Sequence, residues 1–189
     1  MDSAIINVHC VFDYAIFKDS VVVMGVFDGV HVGHRYLIDK AIKEALEQGK
    51  RSVITTFSKD PDEVVDSKHL VKLQTNFDRF DTLASLGADS VAVMPFTDKF
   101  AEQTPLQFLA CMFLKNTPYS IHVGKNFRFG KGAEGDIDTL INWAEKYGIK
   151  VHVHDLFEMD GDVVSSTRIR HLITDGRNDE ANALLGGKI

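Results

Sequence analysis

Two cysteines, one tryptophan and four prolines are all that a chain of 189 residues holds of those types. Cys10 and Cys111 lie far apart, so they form neither a disulfide framework nor a CxxC pair. This excludes the disulfide-stapled secreted scaffolds and fits a reducing compartment. Both sit among apolar neighbours and read as core residues rather than nucleophiles. No apolar run approaches the roughly 18 residues of a membrane span, and no charged segment followed by an apolar one opens the chain; the sequence reads as soluble and cytoplasmic. Positive charge is not in excess. The 21 Lys and Arg against 27 Asp and Glu leave a net −6, which argues against a general nucleic-acid or anionic-membrane surface while leaving room for a local basic pocket. No repeat, low-complexity tract or Pro/Ser-rich linker divides the chain. A hydrophobic content of 44% is ordinary for a globular protein, and the length suits a single domain over 1–189.

Short β-branched runs alternate with helical periodicities along the chain. Strands are predicted at 4–9, 21–24, 52–57, 90–96, 119–123 and 150–155. One helix is predicted through Leu37, Ile38, Ala41, Ile42, Ala45 and Leu46 with Gly49 as its stop, and another around Phe77, Phe80, Leu83 and Ala84 with Gly87 as its stop. A third starts at Thr104-Pro105-Leu106-Gln107, where an N-cap Thr, a Pro at N1 and a capping-box Gln stand in register. A fourth covers 137–147, and Ser165 opens one or two terminal helices around Gly176. The alternation predicts an α/β fold: a Rossmann-like, mostly parallel sheet with helices on both faces and a small helical C-terminal extension. Ligands of such sheets lie beyond the carboxyl ends of the strands.

Three stretches carry chemistry, each directly after a strand. Gly25-Val26-Phe27-Asp28-Gly29-Val30-His31-Val32-Gly33-His34 turns from a buried strand into a helix N-terminus. Glycines let the backbone approach a phosphate, free amides and the helix dipole favour an anion, and two histidines three apart can face it as donors or cations. No Gly-Lys-Ser/Thr follows, so this is not a Walker loop. Asp28 is open between orienting an imidazole, serving metal-bound phosphates and shaping the turn. The second stretch, Gly124-Lys125-Asn126-Phe127-Arg128-Phe129-Gly130, offers rings to stack a flat ligand and cations to hold a phosphate. The third, Ser165-Ser166-Thr167-Arg168-Ile169-Arg170, places hydroxyls and guanidinium groups at a helix start, more than a cap requires.

Other patterns are weaker. Gly130-x-Gly132-x-x-Gly135, with Asp155 further on, matches a dinucleotide fingerprint but lacks the tight turn after its strand. His152 and His154 share a strand face, but no Cys, Asp or His is spaced to complete a metal site, so no metal ligands are expected. No GxSxG elbow or Ser/His/Asp set is present.

Taken in this order, the G-x-FDG-x-HxGH turn, the VG-x-NFRFG-x-G loop, the SSTRIR segment and the Ala183-Leu184-Leu185-Gly186 ending resemble the FAD synthetase (FMN adenylyltransferase) domain of the bacterial riboflavin kinase/FAD synthetase family, within the HxGH nucleotidyltransferases. The resemblance covers essentially the whole chain. It implies transfer of AMP from ATP to FMN, giving FAD and pyrophosphate, with Mg²⁺ held mostly by substrate phosphates. His31, His34 and Arg170 would be the catalytic set. ATP would further meet Gly25, Val26, Phe27, Asp28, Gly33, Asn126, Ser165, Ser166 and Thr167, and FMN would meet Phe57, Pro61, Asn126, Arg128 and Phe129. The partners implied are these small molecules, with FMN supplied by a separate riboflavin kinase, because no kinase domain follows Leu-Leu-Gly. The chain departs from the family in one element. Ser58-Lys59-Asp60-Pro61 stands where relatives show Pro-His-Pro, on the flavin side. The rival readings are an HxGH enzyme with another phosphorylated acceptor, a non-catalytic flavin- or nucleotide-binding regulator, and a dinucleotide-dependent oxidoreductase.

Overall fold

The computed structural model describes residues 8–10, 14–59 and 72–187. Pro61, most of the polar segment after it and the first residues of the 4–9 strand lie outside the described residues.

Six parallel strands form one sheet in the order β1-β4-β3-β2-β5-β6. They are β1 (Val8–Cys10), β2 (Ser20–Met24), β3 (Arg51–Phe57), β4 (Ser90–Met94), β5 (Ser120–Gly124) and β6 (Lys150–His154). The central strand is β2, buried at every residue, as an unbroken Val-Val-Val-Met run requires when both sheet faces are covered. From β2 the chain moves to β3 and β4 on one side, then crosses to β5 and β6 on the other. The order therefore reverses between β2 and β5, and the loops leaving those strands open a crevice at the carboxyl edge.

Alternate β2 residues feed opposite faces. Val21 and Val23 pack with Ile38, Ala41, Ile54 and Leu83 under α1 (Val32–Gln48) and α2 (Asn76–Ala84). Val22 and Met24 pack on the other face with Leu109, Met112, Leu140 and Trp143; a short α3 (Asp98–Ala101) precedes the two helices on that side, α4 (Pro105–Phe113) and α5 (Ile137–Glu145). The capping box expected at Thr104 and Gln107 is formed. An antiparallel hairpin, β7 (Glu158–Met159) with β8 (Asp162–Val163), leads into α6 (Ser166–Thr174) and α7 (Asn178–Leu184). A third apolar cluster, including Val164, Ile169, Leu172 and Leu184, takes in Val32 and Phe157 and fastens these terminal helices to the start of α1.

Three apolar positions differ from expectation. Leu46, expected on the inner face of α1, is 76% exposed, because neighbouring helix residues point about 100° apart and Ala45 takes the inward direction. Phe77 is 75% exposed, standing two residues and about 200° from the buried Arg79 of α2. Cys111 is exposed on the back of α4, its thiol 3.6 Å from the Tyr14 hydroxyl, while Leu109, Met112 and Phe113 turn inward. Among the described residues no helix is long and apolar enough to cross a membrane.

Candidate active site

The turn between β2 and α1 holds a run of left-handed backbone. Phe27, Gly29 and Val30 adopt φ of +59°, +79° and +37°. Only Gly takes such values without cost, and each of the others stores about 1–3 kcal/mol that the surroundings must offset. Ser166 Oγ donates to the Asp28 carbonyl at 3.0 Å, Arg35 Nε donates to the Val30 carbonyl at 3.0 Å, and the Leu73 amide donates to Asp28 Oδ1 at 3.3 Å. Arg170 pairs with Asp28 Oδ2 at 2.5 Å. Of the roles left open for Asp28, the structure shows the turn residue: a 7% exposed carboxylate tying the β2–α1 turn to α6. Gly25 is required because the Phe27 ring folds back over it, and an added Cβ would lie 2.7 Å from that ring.

His31 is the N-cap of α1. Its Nδ1 accepts from the His34 amide at 3.3 Å, which leaves the ring proton on Nε2. The His31 and His34 rings stack with centroids 3.5 Å apart, and the Phe27 ring stands edge-on to His34. His34 Nδ1 is buried and has no hydrogen-bond partner among the described residues. Burial lowers His31 to about 4; burial and then the adjacent His31 hold His34 well below the usual histidine range. Both rings are therefore neutral at pH 7 without ligand, hydrogen-bond donors rather than cations. Because folding disfavours the charged form, the unfolded chain binds these protons more readily. Stability is complete above about pH 6.5 and is lost as pH falls toward 4, by about 3 kcal/mol for His31 alone. Urea midpoints at pH 7, 5.5 and 4.5 should fall in that order, and a His31→Asn variant should show a shallower decline.

The carboxyl ends of β2 and β3 are held by a residue that motif reading passed over. Arg79 on α2 is 2% exposed and donates to the carbonyls of Val26 at 3.1 Å and Phe57 at 2.7 Å. Thr56 Oγ1 donates to the same Val26 carbonyl at 2.9 Å. The available signal was a cation on the inward stripe of α2, beside Thr82 and Leu83.

The loop after β5 closes on itself. The Phe129 and Gly135 backbones exchange hydrogen bonds of 2.9 and 3.1 Å, and Gly130, at φ +75°, packs on Pro105. A Cβ on Gly130 would stand 2.7 Å from the Pro105 nitrogen, and one on Gly135 would stand 2.8 Å from the Phe129 ring and carbonyl. Packing thus accounts for two glycines of the dinucleotide-like spacing, with no tight strand-to-helix turn behind them. Gly130→Ala combines a left-handed φ with a backbone clash. It should cost about 3 kcal/mol in a urea titration, whereas Gly132→Ala, which meets no close neighbour, should cost about 1.

At α6 the hydroxyls divide their work. Ser165 caps the helix by accepting from the Arg168 amide at 3.2 Å, and Ser166 holds the Asp28 carbonyl. Arg168 donates to the carbonyls of Met159 and Asp162 and so pins the hairpin, whereas Arg170 faces the β2–α1 turn.

All three stretches meet in one cleft of about 730 Å³ at the carboxyl edge of the sheet, and every described residue expected in the site lines it. Among the lining residues that were not anticipated are Phe96, Phe100 and Phe108. With Phe57 and Phe129 they form a chain of rings 5.3 to 6.0 Å apart, an apolar wall opposite the polar turn. The aromatic segment just beyond β4 was the sequence signal for it. Outside the cleft, Glu44 and His122 converge on His152, a grouping that spacing along the chain did not suggest. The Glu lies on a helix and the second His on another strand, so spacing along the chain could not reveal the group.

The FAD synthetase family profile matches residues 14–168. A bifunctional riboflavin kinase/FMN adenylyltransferase from Listeria monocytogenes is 32% identical over 173 residues, 89% of this chain and 54% of that protein. A protein named FAD synthetase from the same organism is 32% identical over 176 residues, 89% of this chain and 70% of that one. Among solved structures, a macrolide-efflux protein from Streptococcus pneumoniae is similar with a TM-score of 0.81 at 28% identity, over 95% of this chain and 60% of the other. The chain spans about half the length of the bifunctional relative. The profile covers the β2–α1 turn, the loop after β5 and the start of α6, the three segments that build the cleft, and the chain belongs to the FAD synthetase family.

Proposed function

We propose that this chain is an ATP:FMN adenylyltransferase, and that the cleft described above holds both substrates. The observation that carries this reading is the convergence in one cavity of two neutral histidines at a helix N-terminus, Arg170 with the α6 hydroxyls, and a wall of phenylalanines. The triphosphate of ATP would lie against the β2–α1 turn, with Gly25, Val26 and Phe27 bordering the nucleoside and Gly33, Ser165, Ser166, Thr167 and Arg170 toward the phosphates. The flavin would lie between that turn and the aromatic wall, near Phe57, Asn126, Arg128 and Phe129.

An oxygen of the FMN phosphate attacks the α-phosphorus of ATP, the bond from that phosphorus to the bridging oxygen breaks, and pyrophosphate leaves. The attacking phosphate is already ionised, so no protein base is needed. Catalysis rests on alignment and on donors aimed at the charge that develops. His31, whose free proton sits on Nε2, supplies one such donor; His34 lies stacked beside it, and Arg170 supplies fixed positive charge. Among the described residues the cleft holds no trio of carboxylates or other metal ligands, and Asp28 is engaged by Arg170. These residues fit a Mg²⁺ ion that arrives on ATP and is held by its phosphates, where it would offset their charge. FMN would come from a riboflavin kinase, the second activity in the name of the Listeria relative, and a cytoplasmic setting goes with this reading.

Incubating the chain with ATP, Mg²⁺ and FMN and separating the products tests it. FAD and pyrophosphate in a one-to-one ratio are expected. Absence of FAD, with ATP still bound, would point to another phosphorylated acceptor.

A further inference from the structure

We propose that Glu44, His122 and His152 form a binding site for a divalent transition-metal ion of the zinc class, outside the nucleotide cleft and adjoining it through His154, which lines the cleft. The three residues come from α1, β5 and β6, and their ligand atoms all lie within 4.8 Å of one another. Glu44 Oε2 is 2.7 Å from His122 Nε2, and Glu44 Oε1 is 3.0 Å from His152 Nε2. Ligands around a tetrahedral ion stand about 3.3 Å apart, so a small rotation of the half-exposed His152 completes the set.

The surroundings are built as such sites are. A ligating histidine donates its second ring nitrogen to a fixed acceptor, and ligating carboxylates are themselves hydrogen-bonded. His122 Nδ1 lies 3.0 Å from His154 Nε2, and Ser120 Oγ donates to Glu44 Oε2 at 2.5 Å. Without metal, His122 donates Nε2–H to Glu44 and accepts from His154. With metal on Nε2, the His122 proton sits on Nδ1 and is donated to His154 Nε2, the His154 proton then sits on its Nδ1, and both rings stay neutral. His122 is 3% exposed while the side chain of His152 is 41% exposed, which gives the ion a protein wall on one side and an open position on the other. Two imidazoles with one carboxylate select zinc, cobalt, nickel or copper over Mg²⁺ or Ca²⁺, which prefer all-oxygen sites. Glu44 lies ten residues beyond His34, about 15 Å along α1. An ion here would clamp α1, whose start carries the cleft histidines, to the two strands that launch the Asn126 loop and the terminal hairpin.

The test uses the untagged chain stripped with chelator and titrated with Co²⁺. The expected result is visible absorption bands of a low-coordinate site saturating at one equivalent, abolished by Zn²⁺ and unaffected by Mg²⁺. Zinc at about 100 times its Kd should raise the melting temperature by about 5–10 °C. Glu44→Gln and His152→Asn, both at partly exposed side chains, should fold and weaken Co²⁺ binding at least tenfold, and His34→Ala should leave it unchanged. Absent bands and no melting shift would overturn the site, as would undiminished binding in either variant or loss of binding in His34→Ala. Each readout is independent of adenylyl transfer.

Discussion

Replacing His31 and His34 together with alanine should lower kcat for FAD formation by at least ~10³-fold while FMN binding persists. The basis is the magnitude of single preorganised donors, whose removal costs about 10²–10³ in kcat where charge develops in a water-poor site. Here two stacked rings border the strained β2–α1 turn, 3.5 Å apart, at the positive end of α1. A structural contribution has to be separated out, because His31 also caps the helix, a role worth about 1 kcal/mol. His31→Asn keeps a capping oxygen and loses the Nε2 donor, so it should hold most of the stability and lose most of the turnover. Rapid-quench measurement of a single turnover is the check, since it isolates the chemical step from product release. A double variant that retained a tenth of wild-type turnover would remove the histidines from the mechanism.

Asp28→Ala should cost about 3 kcal/mol in a urea titration. It removes the acceptor that holds Arg170 and the Leu73 amide against the turn, and it takes the Asp28 carboxylate away from a guanidinium that is only 20% exposed. In a domain of ordinary stability that is a large fraction of the total. Turnover should fall too, because the positive-φ run at Phe27, Gly29 and Val30 depends on the same contacts. A double-mutant cycle separates the two effects. With Arg170→Met and the double variant added, the summed losses of the two single variants should exceed the loss of the double variant by about 1–3 kcal/mol, while activity stays low in all three. Strict additivity of the two single losses in the double variant would mean that the pair contributes nothing to the fold.

Much of this molecule was legible before folding, for local reasons. The Val21–Met24 run can only be a strand buried on both faces, and the Thr104 capping box announces a helix start whatever packs against it. The glycines and histidines of the β2–α1 turn could be read as an expected anion site because backbone geometry and the helix dipole act within a few residues. Alternation of strands and helices then implied that the three motifs share one sheet edge, and they do.

Other features depended on residues distant along the chain. Arg79 acquires a role only when α2 lies across the ends of β2 and β3. The wall of Phe96, Phe100 and Phe108 exists only because β4 and α4 deliver rings to the same side of the cleft. Leu46 and Phe77 look like core residues by type, but helix rotation left them in water. The Glu44, His122 and His152 group joins a helix to two strands, and no spacing encodes it. Residue type and short-range periodicity determined which chemistry this chain carries. The tertiary structure alone decided which charges are paired and which protons the histidines hold, because pairing and burial are set by neighbours that the linear order does not specify.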